Sequence, residues 1–360
     1  MKHIVLYVNS MQTSGGIERV IATLAEIFKK DYKVSILVKD NTKSFYSLPK
    51  EVKMLTLNYQ LNLDMNKTRL KRAFVLLAHL HGAQKRLKKK MESIEYDYLY
   101  VTTPVACLEY YLANLPKEKL IISEHSSRSN FNLFYRTIKK LLYHKYPVQI
   151  VPTQVDFDWY RNRQFPSVKI PHFRSALNYI KSSQSSNIVL NIGRMTDDKQ
   201  QLALLQMWGK IIFEHGFRNW KLRIVGDGEN YKSIVDFIAN NQLNEYVEIC
   251  SPTEKVELYY NDCSIYASSS QREGFPMVLV EAISFGLPTI AFDCPTGPSE
   301  ILNDGVGVLV ELNDYNTYIN KLVELMKDEK LRLKYSDTAF ERSIHWGEEN
   351  IMKQWKDVLK

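Results

Sequence analysis

Cysteine is scarce in this sequence, and the few cysteines are not spaced for metal binding. The chain of 360 residues has no C-x-x-C pair and no histidine near a cysteine at metal-ligand spacing; its four cysteines are Cys107, Cys250, Cys263 and Cys294. Structural disulfides occur mainly in secreted proteins, and closely paired cysteines indicate zinc sites. We therefore expect four free thiols in a reducing cytoplasm.

Long apolar runs are missing as well. No run approaches the ~18 residues that a membrane-spanning helix needs. The opening MKHIVLYVNS has no small-residue cleavage site, so it indicates a first β-strand and not a signal peptide. The sequence also shows no internal repeat and no recognisable nucleic-acid-binding module. With 45% hydrophobic and 24% charged residues, the chain is typical of a globular protein and long enough for two domains.

Acidic residues are few in the first half of the chain. Residues 1–175 contain 29 Lys and Arg against 14 Asp and Glu, a net charge of +15, whereas residues 176–360 contain 19 against 26, a net charge of −7. The two values add to the overall net charge of +8. This asymmetry indicates that the N-terminal half faces an anionic partner, nucleic acid or membrane phosphate. Because no nucleic-acid-binding module is recognisable, we expect an anionic membrane surface and no nucleic acid.

Short apolar runs alternate with helical patterns along the chain. HIVLYV precedes a helical stretch, and YKVSILV, YDYLYVT, KLIIS, PVQIVP, NIVLNIG, WKLRIVG, YVEIC, CSIYAS and PTIAF follow. The alternation predicts an α/β fold with two doubly wound parallel sheets, which bind ligands at the carboxyl ends of their strands. The Ser/Asn/Gln-rich segment Pro171–Asn187 is the predicted linker. We expect domains over residues 1–172 and 187–345, with a final helix over 346–360 that packs back on the first.

The strongest motif is QREGFPMVLVEAISFGLPTIAF, in which Glu273 and Glu281 are eight residues apart. Pro276 suits the first position of a helix, and Gly286 suits the position just past its end. The helix between them is apolar nearly all round, which predicts that it is buried and that its carboxylate, Glu281, is hydrogen-bonded. Gly274 allows a ligand close to the backbone. The structural alternative is a Glu–Arg pair with a turn.

This pattern resembles the E-x7-E signature of retaining glycosyltransferase family 4, and other landmarks of that family fall in order over nearly the whole chain. The resemblance implies the GT-B fold, in which two Rossmann-like domains face each other across a central crevice. It also implies that Glu281 binds the ribose hydroxyls of the donor. Glu273, with the backbone of Gly274, Phe275 and Pro276, would hold the hydroxyls of the transferred sugar.

A second motif, NIGRMTDDKQQ, places two cations after a strand. Arg194 and Lys199 could neutralise a diphosphate leaving group, because fixed cations stabilise charge that develops during the reaction. By themselves, the two residues could equally be solvated. The resemblance assigns both to the donor diphosphate. The family often has glycine after this lysine, whereas this chain has Gln200.

Two further motifs follow strands of the first half. In SGGIER, Gly15 and Gly16 would let a phosphate approach the start of a helix, or they form a simple turn. In IISEHSS, His125 could face the crevice, although a lone histidine is more often structural. The resemblance places the glycine loop near the donor diphosphate and the acceptor, and it places His125 against the donor sugar. The role of Glu124 stays open.

Three weaker signals complete the inventory. Gly226–Gly228 and Thr296–Leu302 follow strands and could approach the nucleotide, or they could be turns. Asp156-Phe157-Asp158 matches the D-x-D motif with which other glycosyltransferases hold a divalent ion. It stands at a predicted helix start, where aspartate is favoured as a cap and by the helix dipole. With Arg194 and Lys199 on the diphosphate, we expect no metal.

The basic excess concentrates in two stretches. Met65–Met91 contains nine Lys or Arg and no acid, with Leu70, Phe74, Leu77, Leu80 and Leu87 near helical spacing. Arg128–Tyr146 is also basic and aromatic. Both patterns are typical of a helix on an anionic membrane, or of a solvated helix packed on the core. The residues predicted to contact membrane or acceptor diphosphate are Lys67, Arg69, Lys71, Arg72, Lys85 and Arg86.

The resemblance implies a retaining, metal-independent transfer of a hexose or N-acetylhexosamine from a UDP-sugar, without a cofactor. The acceptor would be a polyprenyl-diphosphate-linked glycan, at the cytoplasmic face of the cell membrane, in assembly of a capsule, lipopolysaccharide or a similar bacterial polysaccharide. His125 and Glu273 would act at the reacting sugar. Two alternatives remain open: a UDP-sugar epimerase on the same architecture, and a non-catalytic sugar-nucleotide-binding module.

Overall fold

A computed structural model describes residues 1–59, 69–128 and 133–360, and side chains for all of these except 69–78. The chain divides into two compact units. The first comprises most of residues 1–170, and the second comprises Pro171–Lys360 with a short segment after His125.

The first unit alternates strands and helices, as the sequence predicts. Its elements are β1 (His3–Val8), α1 (Gly16–Phe28), β2 (Lys33–Val38), β3 (Lys53–Thr56), α2 (Arg69–Glu92), β4 (Tyr98–Val101), α3 (Pro104–Leu112), β5 (Leu120–Ser123), α4 (Leu133–Leu142), β6 (Val148–Val151), α5 (Gln154–Arg161) and β7 (Ser167–Lys169). The seven strands form one parallel sheet in the order β3-β2-β1-β4-β5-β6-β7.

The second unit repeats the scheme. Its elements are β8 (Ile188–Ile192), α6 (Gln201–Phe213), β9 (Lys221–Val225), α7 (Tyr231–Asn240), β10 (Val247–Cys250), α8 (Glu257–Asn261), β11 (Ile265–Ser268), α9 (Met277–Ser284), β12 (Thr289–Asp293), α10 (Gly297–Leu302), β13 (Val308–Glu311), α11 (Tyr315–Lys327), α12 (Glu329–Arg342) and α13 (Glu348–Val358). Six parallel strands run in the order β10-β9-β8-β11-β12-β13. The prediction of two doubly wound parallel sheets is confirmed.

The segment after β7 belongs to the second unit by its contacts. Ser182 donates to the carbonyl of Cys263 at 2.7 Å, and the side-chain amide of Gln184 donates to the carbonyl of Gly286 at 3.1 Å. The division of the chain therefore falls after Ile170, and residues 171–187 form part of a folded unit instead of a free linker. Helix α13 is also grouped with the second unit, and its packing on the first stays a prediction.

The described part of α2 packs on the core of the first unit. Leu80 and Leu87 are buried, and Leu87 and Met91 belong to the apolar cluster beneath the sheet. For Leu80 and Leu87, the structure thus supports the alternative of packing on the core, and the expectation that they face a membrane is wrong. Lys67 and the side chains of Arg69, Lys71, Arg72, Leu70, Phe74 and Leu77 lie outside the described residues.

Of the residues predicted to contact membrane or acceptor diphosphate, Lys85 and Arg86 have described side chains, and their surroundings differ. Lys85 is exposed, whereas the Arg86 guanidinium donates to the carbonyls of Leu57 and Asn58 and stacks over the ring of Tyr59, at 5.4 Å. Arg86 thus fastens α2 to the loop after β3. None of the described helices has both the length and the apolar character required to cross a bilayer.

Candidate functional site

Three neighbouring strands of the second unit end at the same edge of its sheet. Arg194 follows β8, Glu273 follows β11 and Thr296 follows β12. Because the strands are parallel, their carboxyl ends lie together, and ligands of doubly wound sheets bind at this edge. The predicted donor-side residues thus come from loops at one end of one sheet.

Lys199 and Glu273 form an ion pair at this edge. The Lys199 ammonium lies 2.5 Å from a carboxylate oxygen of Glu273, although the two residues are 74 positions apart. The Lys199 side chain is 26% exposed and that of Glu273 is 10% exposed, so the pair is accessible but largely screened from water. The hydroxyl of Ser269 holds the Lys199 backbone carbonyl at 2.8 Å. A cation and a carboxylate are therefore fixed beside each other.

The backbone around Glu273 is tied to the loop after β12. The amide of Glu273 donates to the carbonyl of Pro295 at 3.1 Å, and the amide of Thr296 donates to the carbonyl of Glu273 at 2.7 Å. Gly297 lies directly against the next residues, because a Cβ there would be 2.3 Å from Pro276 Cδ and 2.6 Å from the Gly274 carbonyl. The Thr296–Leu302 motif thus supports the Glu273–Pro276 loop.

Replacing Gly297 by alanine is expected to lower the free energy of unfolding by about 1–3 kcal/mol, because a new methyl group would overpack two backbone segments. The Glu273–Pro276 loop must also move, since the new methyl group would lie against it. The matched control is Gly209→Ala inside α6, where the nearest atom to a new Cβ is at 4.0 Å. There alanine should stabilise the helix by about 1 kcal/mol. Equal effects at both positions would contradict the tight packing at Gly297.

Helix α9 carries the second glutamate inside the unit. The helix begins at Met277. Pro276 immediately precedes it, so the prediction that Pro276 takes the first helical position is wrong by one residue. Gly286 has φ +66 just past the end, and the amides of Gly286 and Leu287 donate back to the helix, as in a Schellman cap. Glu281 is only 3% exposed. The predictions of a buried helix and a C-terminal glycine are confirmed.

The carboxylate of Glu281 is hydrogen-bonded through both oxygens. The hydroxyl of Ser175 donates to Oε1, and the hydroxyl of Tyr260 donates to Oε2 at 3.0 Å. Tyr260 in turn stacks on Phe285, with ring centroids 5.0 Å apart. Glu281 therefore joins α9, α8 and the segment after β7, and its contact with ribose stays a prediction.

Sequence reasoning missed His172, which lies next to the donor-side loop. His172 is buried and packs edge-on against Phe275, with ring centroids 5.4 Å apart. Burial lowers the pKa of His172 to about 4, so the ring is neutral at physiological pH. His172 and Ser175 both lie in the segment that was predicted to be a linker, so neither was considered as a site residue. Both are far from Glu273 and Glu281 in the sequence, and no motif predicts that they lie near these glutamates.

The loops after β8 and β9 pack closely on each other. A Cβ at Gly226 would lie 2.0 Å from the Gly193 carbonyl, and one at Gly228 would lie 2.5 Å from the Met195 carbonyl. The amide of Met195 donates to the Asp227 carbonyl at 2.9 Å. Gly226–Gly228 thus positions the loop of Arg194, whose own side chain is exposed. Its contact with the nucleotide stays a prediction.

Gln200 has a left-handed backbone, with φ +51 and ψ +38. This conformation explains why glycine suits the position, since a Cβ makes it costly. Gln200→Gly is expected to raise the free energy of unfolding by up to ~1 kcal/mol. Gln206→Gly, the same change at an exposed position inside α6, should lower it by about 1 kcal/mol. Urea unfolding measures both changes. A loss of stability in Gln200→Gly would contradict the inference that the left-handed backbone of Gln200 is strained.

The remaining predicted residues lie in the first unit. Gly15 precedes α1, Gly16 is its first residue, and the amide of Arg19 donates to the Gly15 carbonyl at 3.0 Å. His125 follows β5 and is half-buried, with Nε2 3.1 Å from the Tyr100 hydroxyl. Both sets stand after strands, as predicted. Their contact with a donor stays a prediction.

Glu124 has a structural role. Its carboxylate is buried and lies 2.5 Å from the Lys139 ammonium of α4, and the Gln149 side chain donates to its other oxygen at 3.3 Å. Burial raises the pKa of Glu124 and lowers the pKa of Lys139, while each partner's charge opposes that change. The pair fixes α4 to the chain beside His125.

The D-x-D residues lie in the first turns of α5. Thr153 is the cap, because its side chain accepts from the amide of Asp156, so the prediction of an aspartate cap is wrong. Asp156 is buried in the first turn, where the helix dipole favours a negative charge. Asp158 accepts from the Gln154 side chain at 2.7 Å. Asp158 is therefore engaged within α5, and Asp156 is buried at the start of that helix.

Comparison with known proteins places these features in context. Residues 178–342 match the family described as glycosyl transferases group 1. The amylovoran biosynthesis glycosyltransferase AmsD of Erwinia amylovora is 29% identical over 369 residues, covering 100% of both chains. The GalNAc-alpha-(1->4)-GalNAc-alpha-(1->3)-diNAcBac-PP-undecaprenol alpha-1,4-N-acetyl-D-galactosaminyltransferase of Campylobacter jejuni is 27% identical over 355 residues, covering 96% of this chain and 95% of the relative. A mutant of S. aureus TarM, crystallised with fondaparinux, alpha-GlcNAc-glycerol and UDP, superimposes with a TM-score of 0.82 at 17% identity, covering 100% of both chains.

Proposed function

We propose that this protein, a glycosyltransferase of GT-B fold with a glycosyl transferases group 1 domain, elongates a lipid-linked bacterial glycan. The donor is a UDP-sugar carrying a hexose or N-acetylhexosamine, and the acceptor is a polyprenyl-diphosphate-linked glycan. Two full-length relatives support this, one named for amylovoran biosynthesis and one for an undecaprenol-linked glycan. UDP is further supported by its presence with the similarly folded TarM.

The Lys199–Glu273 pair is the observation that carries the proposal. Its ammonium suits a diphosphate, and its carboxylate suits the hydroxyls of a sugar joined to that diphosphate. Arg194 would add a second cation with a planar fork of donors. The backbone of Gly274, Phe275 and Pro276 would meet the sugar.

The reaction exchanges one bond of the anomeric carbon for another. The bond to the β-phosphate oxygen breaks, a bond to the acceptor oxygen forms on the same face, and the acceptor proton passes to the leaving diphosphate. Arg194 and Lys199 stabilise the charge that develops on UDP. Glu273 orients the sugar and is not a covalent nucleophile. Glu281 would contact the ribose. The roles that the resemblance gives to His125, Gly15 and Gly16 stay predictions.

Because two cations neutralise the diphosphate, we propose that transfer needs no metal ion and no cofactor. The enzyme would act as a peripheral protein at the cytoplasmic face of the membrane, where a polyprenyl-linked acceptor is available. The net charge of +15 on residues 1–175 supports attraction to anionic headgroups.

The decisive experiment is nucleotide release from a panel of UDP-, GDP- and ADP-sugars, with EDTA and a polyprenyl-linked glycan extract. We expect acceptor-dependent release from one donor, unaffected by EDTA and lost in Glu273→Gln and Glu281→Ala. Because Glu281 is buried, calorimetric UDP binding and thermal unfolding must show that its variant remains folded. Glu324→Gln on the exposed side of α11 is the matched control and should retain full turnover.

Other outcomes would contradict this function. Nucleotide release that requires an added metal ion would contradict the proposal that Arg194 and Lys199 neutralise the diphosphate without a metal. Interconversion of sugar nucleotides without a new glycoside would indicate an epimerase. Nucleotide binding that survives Glu273→Gln, with no turnover in either protein under any acceptor, would indicate a non-catalytic module.

A further inference from the structure

Helix α4 exposes large apolar side chains. Leu133 is 81% exposed and Leu141 is 61% exposed, and Phe134 beside Leu133 is exposed too. Leu133 and Leu141 are eight residues apart, two helical turns, and so lie on one side of the helix. Exposed apolar side chains in a cluster mark interaction sites, whereas single ones need no explanation.

The apolar surface continues onto the end of α3, which packs against α4. Tyr111 and Leu112 are exposed there. The Lys145 ammonium lies 3.2 Å from the Tyr111 hydroxyl and 4.5 Å from the centre of its ring, so it joins the end of α3 to the segment that follows α4. We call Tyr111, Leu112, Leu133, Phe134 and Leu141 the α3–α4 surface.

Basic residues accompany this surface. The stretch Arg128–Tyr146 contains five Lys or Arg and no Asp or Glu. Arg136 and Lys140 of α4 are exposed, and they stand three and seven residues after Leu133, on the same side of the helix. Basic residues interleaved with exposed leucine and phenylalanine suit an anionic membrane surface.

The opposite side of α4 is fixed to the protein. Ile138 and Leu142 are buried in the apolar cluster, and Lys139 is buried against Glu124. The helix therefore cannot turn its exposed leucines inward without breaking an ion pair and uncovering the core. In α2, by contrast, the described apolar residues Leu80 and Leu87 already face the core.

We propose that the α3–α4 surface docks on an anionic lipid bilayer. Leu133, Phe134 and Leu141 enter the headgroup–acyl boundary, while Arg136 and Lys140 contact lipid phosphates. A second copy of the chain is a poorer occupant of this surface. A symmetric contact would bring together two stretches that contain basic residues and no acidic ones, and these would repel each other. The inference deepens the proposed function by naming the surface that brings the enzyme to a lipid-linked acceptor.

The test is flotation of the full-length protein with vesicles of phosphatidylcholine, alone or with added phosphatidylglycerol. We expect binding that requires phosphatidylglycerol. Leu133→Ser with Leu141→Ser, and separately Arg136→Glu with Lys140→Glu, should each weaken it by roughly tenfold or more. Leu333→Ser on α12 and Lys232→Glu on α7, both at exposed positions, are the matched controls and should bind as the unaltered protein does.

Two results would overturn the proposal: equal binding by variants and controls, or a self-association detected by sedimentation that the same variants abolish. Nucleotide release on a water-soluble acceptor separates this proposal from the proposed function. The surface variants should retain that release while vesicle binding falls. If no donor supports release but vesicle binding behaves as expected, the proposed function fails and the docking surface stands.

Discussion

If Lys199 holds the donor diphosphate as proposed, its replacement by alanine should lower kcat by about 10²- to 10³-fold, because the leaving group would lose a fixed cation where its charge develops. The side chain lies at the sheet edge beside Glu273 and is not part of the apolar cluster described for the second unit. We therefore expect the fold to survive, with donor affinity falling less than kcat. Steady-state kinetics with saturating donor and acceptor measure the effect.

The matched control for this change is Lys181→Ala. Lys181 also forms an ion pair within the second unit, with Asp337, but both side chains are substantially exposed. Exposed pairs contribute only about 0–1 kcal/mol, so turnover and stability should be nearly unchanged. A Lys199→Ala enzyme whose kcat stays within about threefold of the unaltered value, with the same unfolding temperature, would refute the assignment of Lys199 to the diphosphate.

The central strands of both sheets could be predicted, and most of the edge strands could not. All ten predicted strands are present, whereas β3, β7 and β13 were missed. Each of these three is an outermost strand of its sheet, with a neighbouring strand on one side only. A central strand of a parallel sheet is buried on both faces and reads as a continuous apolar run, but an edge strand such as Ser167–Lys169 is short and partly exposed.

The candidate site shows a similar division. Glu273 and Lys199 follow strands, and the sheet edge brings them together as the sequence suggested. Ser175 and Tyr260, which complete the surroundings of Glu281, are 106 and 21 positions away from it and belong to no motif. Contacts of this kind depend on how a segment folds back onto a helix, and periodicity does not encode them.

The basic stretches show why charge and helical spacing are insufficient to identify a membrane helix. Leu80 and Leu87 of α2 have the spacing of an amphipathic helix, and that face covers the core. In α4, Leu133 and Leu141 remain exposed while Ile138 and Leu142 are buried. Both helices have an apolar stripe beside lysines, and only tertiary packing decides which stripe is covered.

Replacing the buried Lys139 by methionine should lower the free energy of unfolding by about 3–5 kcal/mol. This is the largest loss of stability that we expect from a single substitution. The variant would leave the buried Glu124 carboxylate without its cation, and it would remove a hydrogen bond of 2.8 Å to the Tyr160 hydroxyl. Lys140→Met is the matched control on the next residue of α4. Because Lys140 is exposed, this substitution should change the free energy of unfolding of the protein by no more than about 0.5 kcal/mol.

The double variant Glu124→Gln with Lys139→Met should recover part of this loss, because position 124 then carries no charge that lacks its cation, while the nearby buried Asp156 is the same in both variants. The pH dependence of Lys139→Met gives an independent check. Burial raises the pKa of Glu124, so without Lys139 the folded state binds a proton more readily than the unfolded state does. Stability of the single variant should therefore increase as the pH falls from about 8 to about 5, and the double variant should show a smaller slope. A slope of the opposite sign, or a single variant as stable as Lys140→Met, would mean that Glu124 is not held as a buried charge by Lys139.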